Sequence, residues 1–159
     1  MSEAKIDQAD SAGVIIPPPT IYTSAVVLGL GLDHLWPIAM QETLPPRLIG
    51  FFLMAVSIIL AVSAFREFGK ARTNIRPDRP TSRIISTGPY HFTRNPLYLA
   101  LAILHAGIGF VAENGWILLL LVPTLLIVSF YVIRREEAYL TRKFEEEYIN
   151  YRNSVHRWL

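Results

Sequence analysis

The chain has 159 residues, of which 52% are hydrophobic and 18% are charged. A soluble domain of this length rarely carries so few charges, because its surface must be hydrated. The formal net charge of +2 is too small to indicate a nucleic-acid partner. The chain contains no cysteine, which excludes disulfides, thiol nucleophiles and cysteine-ligated metals.

Four apolar stretches predict transmembrane helices at about residues 21–40, 48–69, 96–112 and 115–133. About 20 residues cross the hydrocarbon core, and backbone groups in lipid must be paired within their own segment. The first stretch is interrupted by Asp33 and His34, which with Trp36 and Pro37 suit a membrane interface. We therefore predict an all-α polytopic membrane protein: a tail over residues 1–19, then one domain over residues 20–159.

Prolines mark two points along these stretches. The three prolines at residues 17–19 stop the first helix from extending upstream. Pro123 lies inside the fourth span and predicts a kink there.

Residues 134–159 are predicted to form an amphipathic helix. Apolar and aromatic residues recur at spacings of three or four, on one face: Leu140, Phe144, Tyr148, Tyr151, Val155 and Leu159. Such a helix would either lie along the membrane surface or pack back over the bundle.

The basic residues follow the predicted topology. They lie on the long polar loop, Arg66, Lys70, Arg72, Arg76, Arg79, Arg83 and Arg94, and on the tail, Arg134, Arg135, Arg142, Lys143, Arg152 and Arg157. Arg47 alone lies in the opposite loops. The positive-inside rule then places loop, tail and both termini in the cytoplasm, and we expect a multi-pass protein of a bacterial inner membrane.

Residues 86–99 form the first candidate site. Gly88-Pro89 predicts one turn and Asn95-Pro96 another, with Asn95 as the N-cap of the third span. Free amides at that helix start can receive an anionic group. Tyr90 and Tyr98 offer flat faces and hydroxyls for an aromatic or cationic ligand. The alternative is that these tyrosines belong to an interfacial aromatic belt.

Glu136 and Glu137 form the second candidate site, at the cytoplasmic end of the fourth span. Carboxylates are disfavoured at a helix C-terminus that faces lipid headgroups, so a pair there suggests a ligand hydroxyl, amine or cation. The alternative is a solvated Arg/Glu cluster where the helix leaves the membrane.

Together these motifs resemble the isoprenylcysteine carboxyl methyltransferases and their relatives, the phospholipid N-methyltransferases. The resemblance covers about residues 47–159. It rests on an ordered set: the Gly88-Pro89-Tyr90 turn, Arg94-Asn95-Pro96-Leu97-Tyr98, Glu136-Glu137, residues 144–148, Tyr151 and residues 155–158.

This resemblance implies S-adenosylmethionine bound at the cytoplasmic ends of the last two spans, with a lipophilic small-molecule acceptor entering from the membrane lipid. Carried over residue by residue, the cofactor-binding residues are Ile84, Ile85, Tyr90, Asn95, Pro96, Leu97, Tyr98, Glu136 and Glu137. Glu136 would face the cofactor with Glu137 supporting it, and Arg94 would bond its carboxylate. We expect Glu136 and Arg94 to be the catalytic residues.

In-line methyl transfer from a sulfonium needs alignment and exclusion of water rather than a metal or a protein nucleophile. Orientation of this kind can contribute roughly 7–11 kcal/mol. The four histidines show no metal-ligand spacing, and we expect no metal. His105 is interpreted as a helix-contact residue.

Three departures from the carboxyl methyltransferases leave the acceptor open. That family tends to have His where Asn95 stands, Gly where Ala100 stands, and an arginine where Val132 stands. A prenylated cysteine is therefore disfavoured as acceptor. Two other functions remain open: an NADPH-dependent sterol-reductase-like membrane enzyme, and a non-catalytic membrane subunit whose basic loop grips anionic lipid or a partner.

Overall fold

The computed structural model describes residues 11–38, 46–71 and 81–159. Within these ranges the chain is helical and forms no strand, apart from one isolated parallel bridge between Thr93 and His156. The expectations for residues 1–10, for most of the 41–47 loop and for the basic residues Arg72, Arg76 and Arg79 lie outside the described ranges.

Five α-helices follow one another along the described chain. They are α1 (Pro18–Leu35), α2 (Pro46–Ala71), α3 (Pro96–Val111), α4 (Gly115–Ile127) and α5 (Arg134–Ser154). A 3-10 helix, Gly88–His91, precedes α3, and a π-helical segment, Val128–Ile133, joins α4 to α5. The last three elements form one continuous helix of 40 residues, Gly115–Ser154.

Two of the described helices are long and apolar enough to cross a membrane: α2 and the continuous helix Gly115–Ser154. Helix α3 is apolar but has 16 residues. Helix α1 has 18 residues, with Asp33 and His34 in its last turn, and is not one of these two helices. The chain thus has the helices of a membrane protein, while the number of four spans stays a prediction.

Helices α2 and α3 pack most closely, through small residues. A Cβ built on Gly50 would lie 2.7 Å from the Gly107 carbonyl oxygen, and one built on Gly107 would lie 3.0 Å from that of Gly50. Ser57 Oγ donates to the Ala100 carbonyl oxygen over 2.8 Å. Small residues let helix backbones approach in lipid, where van der Waals contact drives association.

The end of the bundle opposite α5 is closed by a short turn between α3 and α4. Asn114 caps α4, its side-chain oxygen accepting from the Ile117 amide over 2.9 Å. Arg47 pairs with Glu113 over 2.9 Å, so the basic residue predicted on this side has its own acidic partner.

His105 lies among the helices, as its interpretation as a contact residue requires. It is 1% exposed, and its Nε2 lies 2.8 Å from the Ile117 carbonyl oxygen. Its ring meets the Tyr22 ring edge-on at 5.9 Å. His105 therefore links α1, α3 and α4.

The fourth span departs from α geometry after Pro123 rather than at it. The chain stays α-helical through Pro123 as far as Ile127 and then adopts the π-helical segment. The segment's Val128, Val132 and Ile133 are fully buried, with Tyr22 and Ala102, in the core between α1, α3 and α4.

The predicted helix over residues 134–159 is wrong at its end. Helix α5 stops at Ser154, and Val155 is extended, with φ −130° and ψ 134°. The helix also breaks internally at Glu145, where φ is 45°. The residues after Val155 leave the helix because their backbone pairs with the turn before α3, and Trp158 Nε1 reaches Ser129 Oγ at 3.2 Å. The tail thus packs back over the bundle rather than lying along the membrane surface.

Candidate functional site

A cavity of about 130 Å³ lies where α2 ends and where α3 and α5 begin. Its walls include every residue predicted to bind the cofactor or to serve catalysis: Ile84, Ile85, Tyr90, Arg94, Asn95, Pro96, Leu97, Tyr98, Glu136 and Glu137. The turn before α3 and the two carboxylates, although distant in sequence, therefore face one space. What each residue does there stays a prediction.

The Gly-Pro-Tyr turn is held in place by a residue of α2. Gly88 has φ +59°, a backbone conformation that favours glycine, and a Cβ there would lie 2.9 Å from Glu67 Cγ. Thr87 Oγ1 donates to Glu67 Oε2, and Lys70 Nζ pairs with Glu67 Oε1 at 2.5 Å. Glu67 therefore fixes the turn that carries Tyr90 into the cavity. Its role had no signal in the sequence beyond a carboxylate near the end of a span.

Tyr90 is fixed from both sides. Its ring meets Phe68 edge-on at 5.7 Å, and its carbonyl oxygen accepts from the Tyr151 hydroxyl over 2.8 Å. Burial raises the pKa of Tyr90 and of Tyr151, so both phenols stay protonated at neutral pH. The site thus has a rigid aromatic wall with neutral hydroxyls.

Asn95 occupies the N-cap position of α3 without capping it, which corrects the expected role of its side chain. Its Nδ2 donates instead to the Arg157 carbonyl oxygen over 2.9 Å. Thr93 Oγ1 donates to the same oxygen, and the Arg94 amide donates to the His156 carbonyl oxygen. The side chain is drawn away because residues 156–157 run beside the turn. The first amides of α3 are thus not capped by Asn95.

Glu136 lies one turn beyond the apolar part of the fourth span and accepts a hydrogen bond from the Tyr98 hydroxyl over 2.5 Å. Its side chain is enclosed by the cavity walls and keeps partial exposure. Removal from bulk water raises the pKa of the Glu136 carboxyl to about 7, and the neighbouring Glu137 charge adds to this rise. Glu136 can therefore change its charge near neutral pH.

Glu137 is bound by two arginines. Arg94 Nη1 lies 2.9 Å from its Oε1, and Arg157 Nε and Nη2 reach its two oxygens as a fork. Arg94 Nη1 also donates to the Tyr148 hydroxyl at 3.4 Å, whereas Arg94 Nε is buried without a partner in the described part of the chain. Glu137 thus anchors the guanidinium that lines the cavity. Arg157 belongs to the motif set over residues 155–158, but nothing in its spacing links it to Glu137.

Several further residues line the cavity that were not predicted as site residues: Ala12, Phe68, Thr81, Arg83, Tyr139, Leu140, Tyr148 and Tyr151. Tyr148 and Tyr151 had a signal, because both lie on the predicted apolar face of the tail. Arg83 is exposed and has no ion pair among the described residues.

The N-terminal segment also reaches the cavity, which the sequence did not predict. Ala12 lines it, and the Gly13 carbonyl oxygen accepts from Arg135 Nη1 over 2.9 Å. The Arg135 guanidinium lies over the Tyr131 ring at 4.6 Å, and the Tyr131 hydroxyl accepts from the Ile15 amide. Arg135 is thus turned towards the N-terminal segment. In the described ranges no group of three or more His, Asp or Glu residues could hold a metal ion.

A sequence model of the phospholipid methyltransferase family matches residues 46–147, which include α2, α3, α4 and most of the cavity residues. No curated protein and no solved structure matches the chain.

Proposed function

We propose that this chain, which belongs to the phospholipid methyltransferase family, transfers a methyl group from S-adenosylmethionine to a lipophilic acceptor at the cytoplasmic face of the membrane. The observation that carries the proposal is the closure of one cavity by Tyr98–Glu136 and Arg94–Glu137 contacts at the ends of apolar helices. This arrangement would put ionisable groups beside a substrate that enters from the membrane.

The chemistry of the cavity fits the cofactor. Two donors remain for its carboxylate, the guanidinium of Arg83 and Nε of Arg94. The uncapped start of α3 offers backbone amides to the same group. Glu136 suits a ribose hydroxyl or the amine, and the faces of Tyr90 and its neighbours suit adenine or the sulfonium.

When bound, the cofactor would supply a methyl group on a sulfonium to a lone pair of the acceptor, leaving S-adenosylhomocysteine, and an amine or hydroxyl acceptor would release its proton to solvent. Glu136 and Arg83 would orient the donor end. Phe68 and Leu140 would keep water away from the reacting atoms, and the buried α3–α5 contacts would hold the geometry.

The acceptor is proposed to lack the carboxylate of a prenylated cysteine. Val132, at the position where the carboxyl methyltransferases tend to have arginine, is fully buried in the core. Neither Arg134 nor Arg135 lines the cavity, and Arg135 donates instead to the Gly13 carbonyl oxygen. An amine or hydroxyl acceptor on a lipid agrees better with these contacts than an anionic one.

For the membrane topology we propose four spans, with α1 and α3 completing the bundle, and both termini in the cytoplasm of a bacterium. The described basic residues near the cavity, Arg66, Lys70, Arg83, Arg134 and Arg142, support this orientation through the positive-inside rule.

The test is calorimetric titration of S-adenosylhomocysteine into the purified protein, followed by profiling of lipids and metabolites with a labelled methyl donor. Glu136→Ala should lose cofactor affinity and methyl incorporation, whereas Glu146→Ala, which removes an exposed carboxylate of α5 that does not line the cavity, should keep both. Absence of S-adenosylhomocysteine binding in the unmodified protein would refute the proposal. Binding of NADPH to the same cavity would favour the reductase hypothesis instead.

A further inference from the structure

A second depression, separate from the cavity, runs along the outer face of α2. This groove of about 570 Å³ is bounded on one side by residues of α2 at spacings of three or four, including Val56, Ile59, Arg66 and Lys70. The 3-10 turn with Pro89 and Phe92 forms the other side. The groove and the cavity share no lining residue, because the Glu67-bound turn stands between them.

The length of the groove corresponds to one leaflet. Arg47 and Arg66 mark the two ends of the uncharged part of α2, about 28 Å apart at 1.5 Å per residue, which is close to the roughly 30 Å of the hydrocarbon core. Val56 therefore lies near the bilayer midplane. From Val56 to Lys70 the helix rises about 21 Å, half of the roughly 40–45 Å bilayer with its headgroups.

The polarity of the groove changes along the same direction. Its midplane end is apolar, and Ile59 is 66% exposed there. Phe92, 72% exposed, lies on the opposite wall. The headgroup end carries Arg66, which forms no ion pair within the described ranges, and Lys70, which pairs with Glu67. One uncompensated positive charge therefore remains at the height of the lipid phosphates.

We propose that this groove binds one anionic glycerophospholipid of the leaflet on the cavity side, as a resident lipid and not as the methyl acceptor. The phosphate would meet Arg66, with the remaining donors of Lys70 beside it, and one acyl chain would lie along Leu60, Ile59 and Val56. Phosphate recognition by an interfacial arginine and burial of an acyl chain are both favourable at these depths. A soluble phosphate compound would make only the first of these contacts.

The proposal is tested by native mass spectrometry of the full chain released from mixed micelles of dioleoyl-phosphatidylglycerol and dioleoyl-phosphatidylcholine. We expect one retained phosphatidylglycerol. Arg66→Gln should weaken its retention about tenfold, and Arg152→Gln, which removes an exposed charge from the tail, should not.

A second pair of variants tests the acyl-chain half of the groove. Ile59→Trp should block it, whereas Ile58→Trp, on another face of α2, should leave retention unchanged. Monodisperse elution of each variant shows that it is folded.

Three results would overturn the proposal. The first is equal phosphatidylglycerol retention by the Arg66→Gln and Arg152→Gln variants. The second is full displacement of the lipid by glycerophosphate alone, and the third is appearance of the labelled methyl group on the bound lipid. The outcome is independent of the methyltransferase assignment, because Glu136→Ala should retain the lipid whether or not S-adenosylhomocysteine binds.

Discussion

The guanidinium of Arg94 lies 2.9 Å from the carboxylate of Glu137, and this contact joins the turn before α3 to the first turn of α5. Both side chains are largely buried, at 11% and 13% exposure. Because Arg157 also binds Glu137, the charge of this carboxylate is satisfied within the protein. Its neighbour Glu136 has the Tyr98 hydroxyl as its only side-chain partner among the residues that the structure describes. Adjacent carboxylates thus have different surroundings, which suits one to structure and the other to a ligand.

A double-mutant cycle measures the Arg94–Glu137 contact. Arg94→Met and Glu137→Gln should each lower the free energy of unfolding by about 1–3 kcal/mol, since each leaves a buried charged partner incompletely paired. The two losses should not add, because they remove the same interaction. Unfolding in mixed micelles, followed by tryptophan fluorescence, gives the four free energies. Full additivity would mean that the pair has no energetic coupling.

Affinity for S-adenosylhomocysteine should depend on pH through Glu136. Its pKa is raised to about 7, so the carboxyl is mostly protonated at pH 6 and mostly ionised at pH 8. If the ligand binds the ionised form, the fraction competent to bind rises with pH, and the apparent affinity should rise about tenfold between pH 6 and pH 8. Calorimetry at several pH values gives this slope. Glu136→Gln should make it flat, and a slope that persists in this variant would assign it to another group.

Arg83 is expected to bind the amino-acid end of the cofactor. Loss of one charge-assisted contact in Arg83→Gln should weaken S-adenosylhomocysteine binding about tenfold. Binding of 5′-methylthioadenosine, which lacks the amino-acid carboxylate, should stay the same. Arg142→Gln, which removes an exposed charge that does not line the cavity, is the matched control. An equal loss of affinity for both ligands would show that Arg83 does not bind the amino-acid carboxylate.

Gly88→Ala should disturb the turn that carries Tyr90. The new Cβ would meet Glu67 Cγ at 2.9 Å, and φ +59° would be strained for alanine, at a cost of about 1–3 kcal/mol. Relief of this strain would move the turn away from Glu67, so cofactor affinity should fall as well. Gly69→Ala is the control, since nothing lies within 4 Å of its Cβ and it is helical. Equal thermal stability and affinity of the two variants would contradict the prediction.

The helices and one half of the site follow directly from local patterns. Apolar runs predict the spans, and proline and glycine place the turns at Gly88 and before Pro96, because these residues act on the backbone at their own positions. Glu136 and Glu137 stand out as charges directly after an apolar run, although the helix C-terminus expected there was wrong, because the helix continues to Ser154. These residues do line one cavity.

The other half depends on contacts between distant segments. The bridge from Thr93 to His156 involves one residue on each side, so it has no periodicity that a sequence can reveal. The Arg157 guanidinium reaches Glu137, and the Gly13 carbonyl oxygen reaches Arg135. Asn95 leaves its expected cap because its side chain donates to the Arg157 carbonyl oxygen. The end of the tail was wrongly predicted as helix because its apolar spacing continues past the point where these contacts take over.

The π-helical segment between α4 and α5 has a consequence for which side of the helix the carboxylates face. A turn closed by i→i+5 bonds accommodates one surplus residue compared with an α-turn, and each residue of an α-helix advances about 100° around the axis. If all six residues of Val128–Ile133 adopted α geometry instead, the surplus residue would no longer be absorbed, and everything downstream would rotate by about a quarter of a circle. Glu136 would then swing away from Tyr98, although no apolar contact upstream had changed. The rotation of α5 relative to α4 about the helix axis, as much as the composition of the helix, therefore decides whether the protein has a binding site.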